Sequence, residues 1–309
     1  MAKEAKLRRS ARLADLALRF LEEPGRAFSL GQLARTYGAA KSSLSEDLSI
    51  LREVFLRAGI GTIETSPGAA GGARYVPGIS RERAENFVRR LVEEVTRPER
   101  ILPGGFVYLS DLLGRPDILR NVGRIVAATF APADVDVVLT VETKGIPIAY
   151  AASFALGKPV VIARRDGQIT EGSLVTINYL SASSRSIRTM SLSRRAIAEG
   201  SRVLLVDDFL RGGGTIRGMQ ELVREFRAEG VGAFVFVEGP TVGERVVEGV
   251  ASLVKVEEID PDVRRIRAVP GSIFSRTFLP SSSWEGLLQS QGTGDLSPER
   301  DFKEGEPCG

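Results

Sequence analysis

The segment Val203-Leu204-Leu205-Val206-Asp207-Asp208-Phe209-Leu210-Arg211-Gly212-Gly213-Gly214-Thr215 opens with four consecutive apolar residues and closes on a glycine-rich turn. Such a run reads as a buried strand, and it carries two adjacent carboxylates to its C-terminal end, where open α/β sheets place their ligands. Glycines let backbone N–H groups approach a phosphate, the start of the following helix contributes partial positive charge, and Thr215 adds a hydroxyl. Asp207 and Asp208 meet the opposite need, because carboxylates accept hydrogen bonds from vicinal hydroxyls such as those of ribose, or hold a hydrated Mg²⁺. A phosphate at one end and a diol at the other describe a sugar phosphate. The glycine spacing is not GxGxxG and no Lys-Ser/Thr follows the glycines, which disfavours a dinucleotide fold and a P-loop.

Working outward, other short apolar runs alternate with helical segments, the pattern of buried parallel strands in an α/β layer architecture. Val135 to Val141, Pro159 to Ala163, Val203 to Val206 and Ala233 to Val237 are the predicted strands. Helices are predicted from Ile146 to Leu156 and through Ile216, Met219, Leu222, Val223 and Phe226, the latter closed by Gly230. A second part of the site is Thr143-Lys144-Gly145, at a strand-to-helix junction on the same predicted edge, where Lys144 and backbone amides suit a second anion. Arg164 and Arg165 follow the next strand and add positive charge. Asp166 to Ser186 is a polar stretch long enough for a flap, with Ile177, Tyr179 and Leu180 suggesting a hairpin.

The N-terminal quarter has a different texture. Up to Tyr75 it holds 12 Lys and Arg against 8 Asp and Glu, more than the whole chain's excess of +3, and Lys3, Lys6, Arg8, Arg9 and Arg12 form a basic arm. Leu13, Leu16, Ala17 and Phe20 recur at helical spacing up to Glu22-Glu23-Pro24-Gly25. Ser29-Leu30-Gly31-Gln32 has capping-box form and opens a second helix that Gly38 stops; Ser43 and Glu46 repeat the spacing at a third, with Leu44, Leu48, Leu51, Val54 and Phe55 as its apolar stripe. Two helices joined by a tight turn, the later one opening with Lys41, Ser42, Ser43 and Ser45, have the layout of a helix-turn-helix. Ile60 to Ile63 and Ala73 to Val76 then read as two strands of a wing linked through Pro67 to Gly72. The candidate DNA contacts are Arg8, Arg9, Lys41, Ser42, Ser43, Ser45, Arg52, Gly71 and Gly72; a helical dimerisation domain is the competing reading. A linker helix is predicted from Arg81 to Val95, with Phe87, Leu91, Val92 and Val95 on one face.

Composition sets the outer limits. At 309 residues, 43% hydrophobic and 26% charged, the chain suits two domains. It contains no histidine, which excludes a Ser-His-Asp triad and any His-ligated metal, and its single Cys308 excludes an intrachain disulfide. No window reaches the roughly 18 apolar residues of a membrane span, so no membrane partner and a cytoplasmic location are expected.

At the Asp207-Asp208 loop the chain resembles the type I phosphoribosyltransferases, and over roughly residues 6 to 280 it more closely resembles the purine operon repressors of Gram-positive bacteria. The matching segments are Lys41-Ser42-Ser43 running into Ser45-Glu46-Asp47-Leu48, Pro67 to Gly72, Glu99-Arg100-Ile101-Leu102-Pro103-Gly104-Gly105, Thr143 to Pro147 and the Asp207 loop. The resemblance implies an α/β, type I phosphoribosyltransferase-like (Rossmann-like) parallel-sheet domain preceded by a small winged helix-turn-helix domain. The divisions follow: 1–78 winged helix, 79–105 linker helix and loop, 106–280 effector domain, and a polar 281–309 tail with the composition of a disordered segment.

It further implies a homodimeric repressor on double-stranded operator DNA upstream of purine genes, with phosphoribosyl pyrophosphate and Mg²⁺ releasing it and guanine nucleotides such as ppGpp competing for the pocket. Carried over, Asp207 and Asp208 hold the ribose hydroxyls, Arg211, Gly212, Gly213, Gly214 and Thr215 the 5'-phosphate, and Thr143, Lys144 and Gly145 the pyrophosphate, with Phe209, Leu210 and Tyr108 lining the pocket. The loop reads Arg211-Gly212-Gly213 where relatives commonly have Lys-Ala-Gly or Ala-Thr-Gly. On this reading no residue is catalytic and the fold senses an effector; an active purine phosphoribosyltransferase with an accessory N-terminal domain is the alternative, and an RNA-binding regulator on the same scaffold a third reading.

Overall fold

The structure is a computed structural model, and it describes residues 7–66, 72–165, 172–181, 186–240 and 245–275. The head comprises α1 (Arg9–Glu22), β1 (Ala27–Ser29), α2 (Leu30–Tyr37), α3 (Lys41–Arg57), β2 (Gly61–Thr65) and β3 (Gly72–Pro77). Its strands form an antiparallel sheet in the order β1-β3-β2. Leu16, Phe20, Leu33, Tyr37, Leu44, Leu48, Leu51, Phe55, Ile63, Ala73 and Tyr75 close a core of their own, which is why a sequence this short folds around three helices and a hairpin.

Two local expectations fail here. Neither capping box forms: Ser29 precedes α2 without a side-chain bond, and α3 begins at Lys41 after Ala40, which puts Ser43 and Glu46 inside the helix. The apolar stripe of α3 also loses Val54, which is 51% exposed.

The remainder runs α4 (Arg81–Val95), β4 (Ile101–Leu102), β5 (Phe106–Val107), α5 (Ser110–Leu113), α6 (Pro116–Phe130), β6 (Val137–Val141), α7 (Gly145–Leu156), β7 (Val160–Ala163), β8 (Leu174–Ser181), β9 (Ser186–Ser193), β10 (Arg202–Leu210), α8 (Gly214–Glu225), β11 (Glu229–Glu238), β12 (Val250–Asp260) and β13 (Arg265–Pro270). Six strands make one sheet in the order β13-β12-β11-β10-β6-β7, parallel except for the edge strand β13. Its two faces are covered by separate apolar clusters, one including residues of α4, α6 and α7, the other residues of α8 and the β8–β9 hairpin.

Helix α4 lies in the stretch that the sequence reading makes a linker, but it is not free-standing. Phe87, Val88, Leu91 and Val95 are buried in the same cluster as Ile118 and Val122 of α6 and Ile266 of β13. At about 1.5–3 kcal/mol for each fully buried large apolar side chain, that docking fixes the helix to the sheet domain.

Candidate functional site

The cleft arises from a mismatch of strand lengths. β10 pairs with β6 only from Val203 to Val206, whereas its ladder with β11 continues to Leu210. Past Val206 one edge of β10 is therefore without a neighbouring strand, at the point where the order of the parallel strands reverses direction, and that is where doubly wound sheets bind ligands. Asp207, Asp208 and Phe209 occupy this stretch, so the acids lie within the strand rather than beyond its end as the four-residue run suggests.

The resulting cleft has a volume of about 690 Å³. Its polar wall carries Asp207, Asp208, Arg211, the three glycines and Thr215 on one side and Thr143, Lys144 and Arg165 on another. The apolar wall is a hood from the β4–β5 hairpin, with Leu102, Phe106 and Leu109, completed by Phe209 and by Ile259 from β12. Gly145 is buried in the first turn of α7, directly after Lys144.

Asp207 is buried and its Oδ1 accepts a 2.9 Å hydrogen bond from the Asp208 backbone N–H. Burial first, and the Asp208 carboxylate second, push its pKa well above the usual carboxylate range. A carboxyl held this way is a poor structural element and a good acceptor for a ligand that brings donors or positive charge. The peptide between Glu142 and Thr143 is cis, and the Arg165 backbone N–H donates to Glu142 Oε1 at 2.9 Å, tying the two positive loops together.

At the far end, Gly213 stands at φ +88° immediately before α8, and a Cβ there would lie 2.4 Å from Val247 Cγ2. The start of α8 has no side-chain cap and no acid in its first turn, so its N–H groups face the cleft end of the loop without internal competition. Gly213→Ala should therefore displace the loop and weaken binding of a phosphorylated ligand by about tenfold or more, for roughly 1–3 kcal/mol of backbone strain; calorimetry on the two proteins checks this, and unchanged affinity would remove the loop from the site.

Tyr108 does not line the cleft. It is 43% exposed and its backbone carbonyl instead accepts from Arg100 Nη1, while its neighbours Val107 and Leu109 face inward. Arg164 is also not among the lining residues, its backbone pairing with Ser191 of β9. The flap expectation resolves into the β8–β9 hairpin, whose Tyr179 rests on Gly218 of α8; residues 166–171 and 182–185 lie outside the described residues. The hood and Ile259 are the site residues that sequence reasoning missed; Glu99 to Gly105, noted there as a matching segment without a role, was the available signal.

In the head, Lys41, Ser42 and Ser45 are exposed in the first turn and a half of α3 and Ser43 is half-buried behind them, at a helix start with no capping side chain. Ser45 Oγ donates back to the Lys41 carbonyl. Arg8 is exposed at the start of α1. Two other expected DNA contacts are already engaged: Arg9 pairs with Glu46 and Asp47, and Arg52 donates to the Ile63 carbonyl at 2.8 Å, stitching α3 to the wing. Gly72 is buried beside β1, where a Cβ would stand 2.5 Å from the Phe28 carbonyl oxygen, so its glycine serves the sheet. Gly71 lies outside the described residues.

Fold and cleft together define a winged helix joined to a phosphoribosyltransferase-type domain. The family described as "Bacterial purine repressor, N-terminal" matches residues 8–77, and "Phosphoribosyl transferase domain" matches residues 109–266. The purine biosynthesis transcriptional repressor PurR of Bacillus subtilis is 48% identical over 92% of this chain and all of its own length. A purine biosynthesis transcriptional activator PurR of Lactococcus lactis is 44% identical over 87% of this chain and 99% of its own. The chain belongs to the bacterial purine repressor family. Matches to transferases are shorter: a xanthine phosphoribosyltransferase of Limosilactobacillus fermentum is 32% identical over 56% of this chain and 93% of its own. Among solved structures, the adenine phosphoribosyltransferase of Thermoanaerobacter pseudethanolicus superposes with a TM-score of 0.46 at 18% identity, covering 54% of this chain and 98% of that one. No helix among the described residues is long and apolar enough to cross a membrane.

Proposed function

We propose that this protein represses purine biosynthesis genes by binding operator DNA as a homodimer through its winged-helix heads, and that phosphoribosyl pyrophosphate filling the cleft releases it. The observation that carries the reading is the pair of adjacent carboxylates on the freed edge of β10, facing the Lys144 loop and the glycine loop across one cleft, in a chain whose other domain is a winged helix. Asp207 and Asp208 accept the ribose hydroxyls, the loop from Arg211 to Thr215 takes the 5'-phosphate, and Thr143 and Lys144 the pyrophosphate.

Among the described residues no three carboxylates or thiols are grouped to hold a metal on protein ligands alone. Mg²⁺ would enter with the ligand, on the ligand's own oxygens. Guanine nucleotides such as ppGpp compete for the same cleft, whose apolar hood suits a planar base. The protein acts as a regulator and not as a transferase, and the relatives that match it along nearly their whole length are named as transcriptional regulators.

A gel shift of purine-gene promoter fragments, with and without phosphoribosyl pyrophosphate and Mg²⁺, tests this. For a ligand with typical allosteric coupling the operator affinity should fall about 5- to 150-fold. Equal affinities, or turnover with purine bases, would sink it. Because some relatives are named activators, in vitro transcription from the same fragments fixes the sign of the response.

A further inference from the structure

The cleft and α3, the recognition helix of the helix-turn-helix, belong to different domains, and α4 touches both domains. At its cleft end the chain leaves α4 and reaches Arg100, 6% exposed. The guanidinium of Arg100 grips Asp111 with two hydrogen bonds of 2.7 and 2.9 Å, donates through Nε to the Glu94 carbonyl of α4 at 2.6 Å, and reaches the Tyr108 carbonyl at 2.9 Å. One planar fork thus ties the last turn of α4 to the chain that leaves the hood, at Tyr108 and at Asp111 of α5, a job that a lysine ammonium cannot copy. The hood in turn meets the phosphate-binding loop, because the Arg211 guanidinium lies 5.0 Å from the centre of the Phe106 ring.

At its other end α4 holds the head. Arg83, in the first turn of α4, donates to the Ala58 carbonyl at the C-terminal cap of α3, and its side chain lies against Gly59. Fifteen residues separate little: at 1.5 Å per residue the helix spans about 22 Å.

We propose that α4 is the strut that couples ligand to DNA, with Arg100 as the positioning residue that fastens it to the hood and Arg83 as the one that fastens it to the recognition helix. This rests on the reading of the cleft as the site of a phosphorylated effector. An incoming phosphate draws Arg211 away from the Phe106 face, since a charge-assisted pair outcompetes a cation–π contact. The hood then settles differently, Arg100 carries the shift to the end of α4, and a small sliding of the packed helix moves α3 through Arg83, the kind of 1–2 Å shear by which packed helices switch.

The test is the coupling factor, measured by calorimetric titration of phosphoribosyl pyrophosphate with Mg²⁺ into the full-length protein, with and without operator duplex. A merely structural role would change ligand affinity or DNA affinity, but it would leave the ratio of the ligand affinities with and without operator unchanged. In the wild type the two affinities should differ about 5- to 150-fold, and in Arg83→Ala and Arg100→Lys that ratio should fall below about twofold. Arg83 is exposed, so its variant keeps the fold and decides the matter even where Arg100→Lys melts. If the wild type couples and the Arg83 variant couples equally, the strut is wrong while the effector reading stands, and the contact of Gly157, at the end of α7, with Pro24 of the head becomes the route. A wild type without coupling overturns both.

Discussion

Replacing Asp207 with asparagine should raise the melting temperature at neutral pH and shift the response to phosphoribosyl pyrophosphate to higher ligand concentration, two effects of opposite sign from one substitution. The carboxyl is buried beside Asp208 and its pKa in the folded protein lies above the value of about 3.9 that an aspartate has in the unfolded chain. Between those two values the native state binds more protons than the unfolded state, so stability falls as pH rises through that window. The wild type therefore carries a penalty at pH 7 that it does not carry at pH 4. Asparagine keeps the Oδ1 that accepts from the Asp208 N–H and removes the charge.

The expected gain at pH 7 is about 1 kcal/mol, the usual size of relief at a strained site, or roughly 2–4 °C; it should shrink to nothing as the pH is lowered to about 4. Ligand binding moves the other way. A ribose hydroxyl donating to Asp207 favours its ionised form in the complex, and losing that acceptor costs about 1.5–3 kcal/mol, or roughly 10- to 150-fold in affinity. Thermal melts at the two pH values and calorimetry at the higher one check both halves. A variant that melts below the wild type at pH 7 would mean that the buried charge is satisfied within the fold and not reserved for a ligand.

What was legible in the sequence was what is local. The run Val203 to Val206, the two acids and the glycines that follow are adjacent, so strand, acceptors and turn could be read together, and Gly38 ends α2 in the left-handed conformation that its position suggests. α6 escaped notice although Ile118, Val122, Ile125 and Val126 keep helical spacing, because Gly123 sits in the middle of it. That glycine is a close-approach site, not a break: α6 presses there on the Ala151 backbone of α7. β13 was hidden by charge, since an edge strand can expose Arg265 and Arg267 and pair them with Glu257 and Glu258 of β12. The hood is built from two-residue strands, below the length at which any periodicity appears. The DNA contacts illustrate a different limit: the pattern of Arg9 and Arg52 says that cations are present, while whether each meets a phosphate or an oxygen of its own domain depends on residues about 38 and 11 positions away.

That limit leads to the largest effect expected in the head. Asp47 is completely buried and is held by Arg12 at 2.6 Å and Arg9 at 3.1 Å. Asp47→Ala leaves the nearly buried Arg12 without its counter-charge, and breaking a buried pair from one side costs about 3–5 kcal/mol. The head's core is separate from the two clusters that cover the large sheet, so operator binding should be lost while calorimetric binding of phosphoribosyl pyrophosphate stays unchanged. The double change Arg12→Leu with Asp47→Leu distinguishes a fold role from a DNA role, because replacing both members of a buried pair by apolar side chains is often neutral. The double variant should recover the melting transition of the head and most of its operator affinity. Arg9 is half-exposed and contributes little to stability, so Arg9→Ala should cost less than about 1 kcal/mol of it. If the double variant refolds and still fails to bind operator, Arg12 is read by the duplex after all, and the buried pair is a DNA contact held in reserve rather than the keystone of the head.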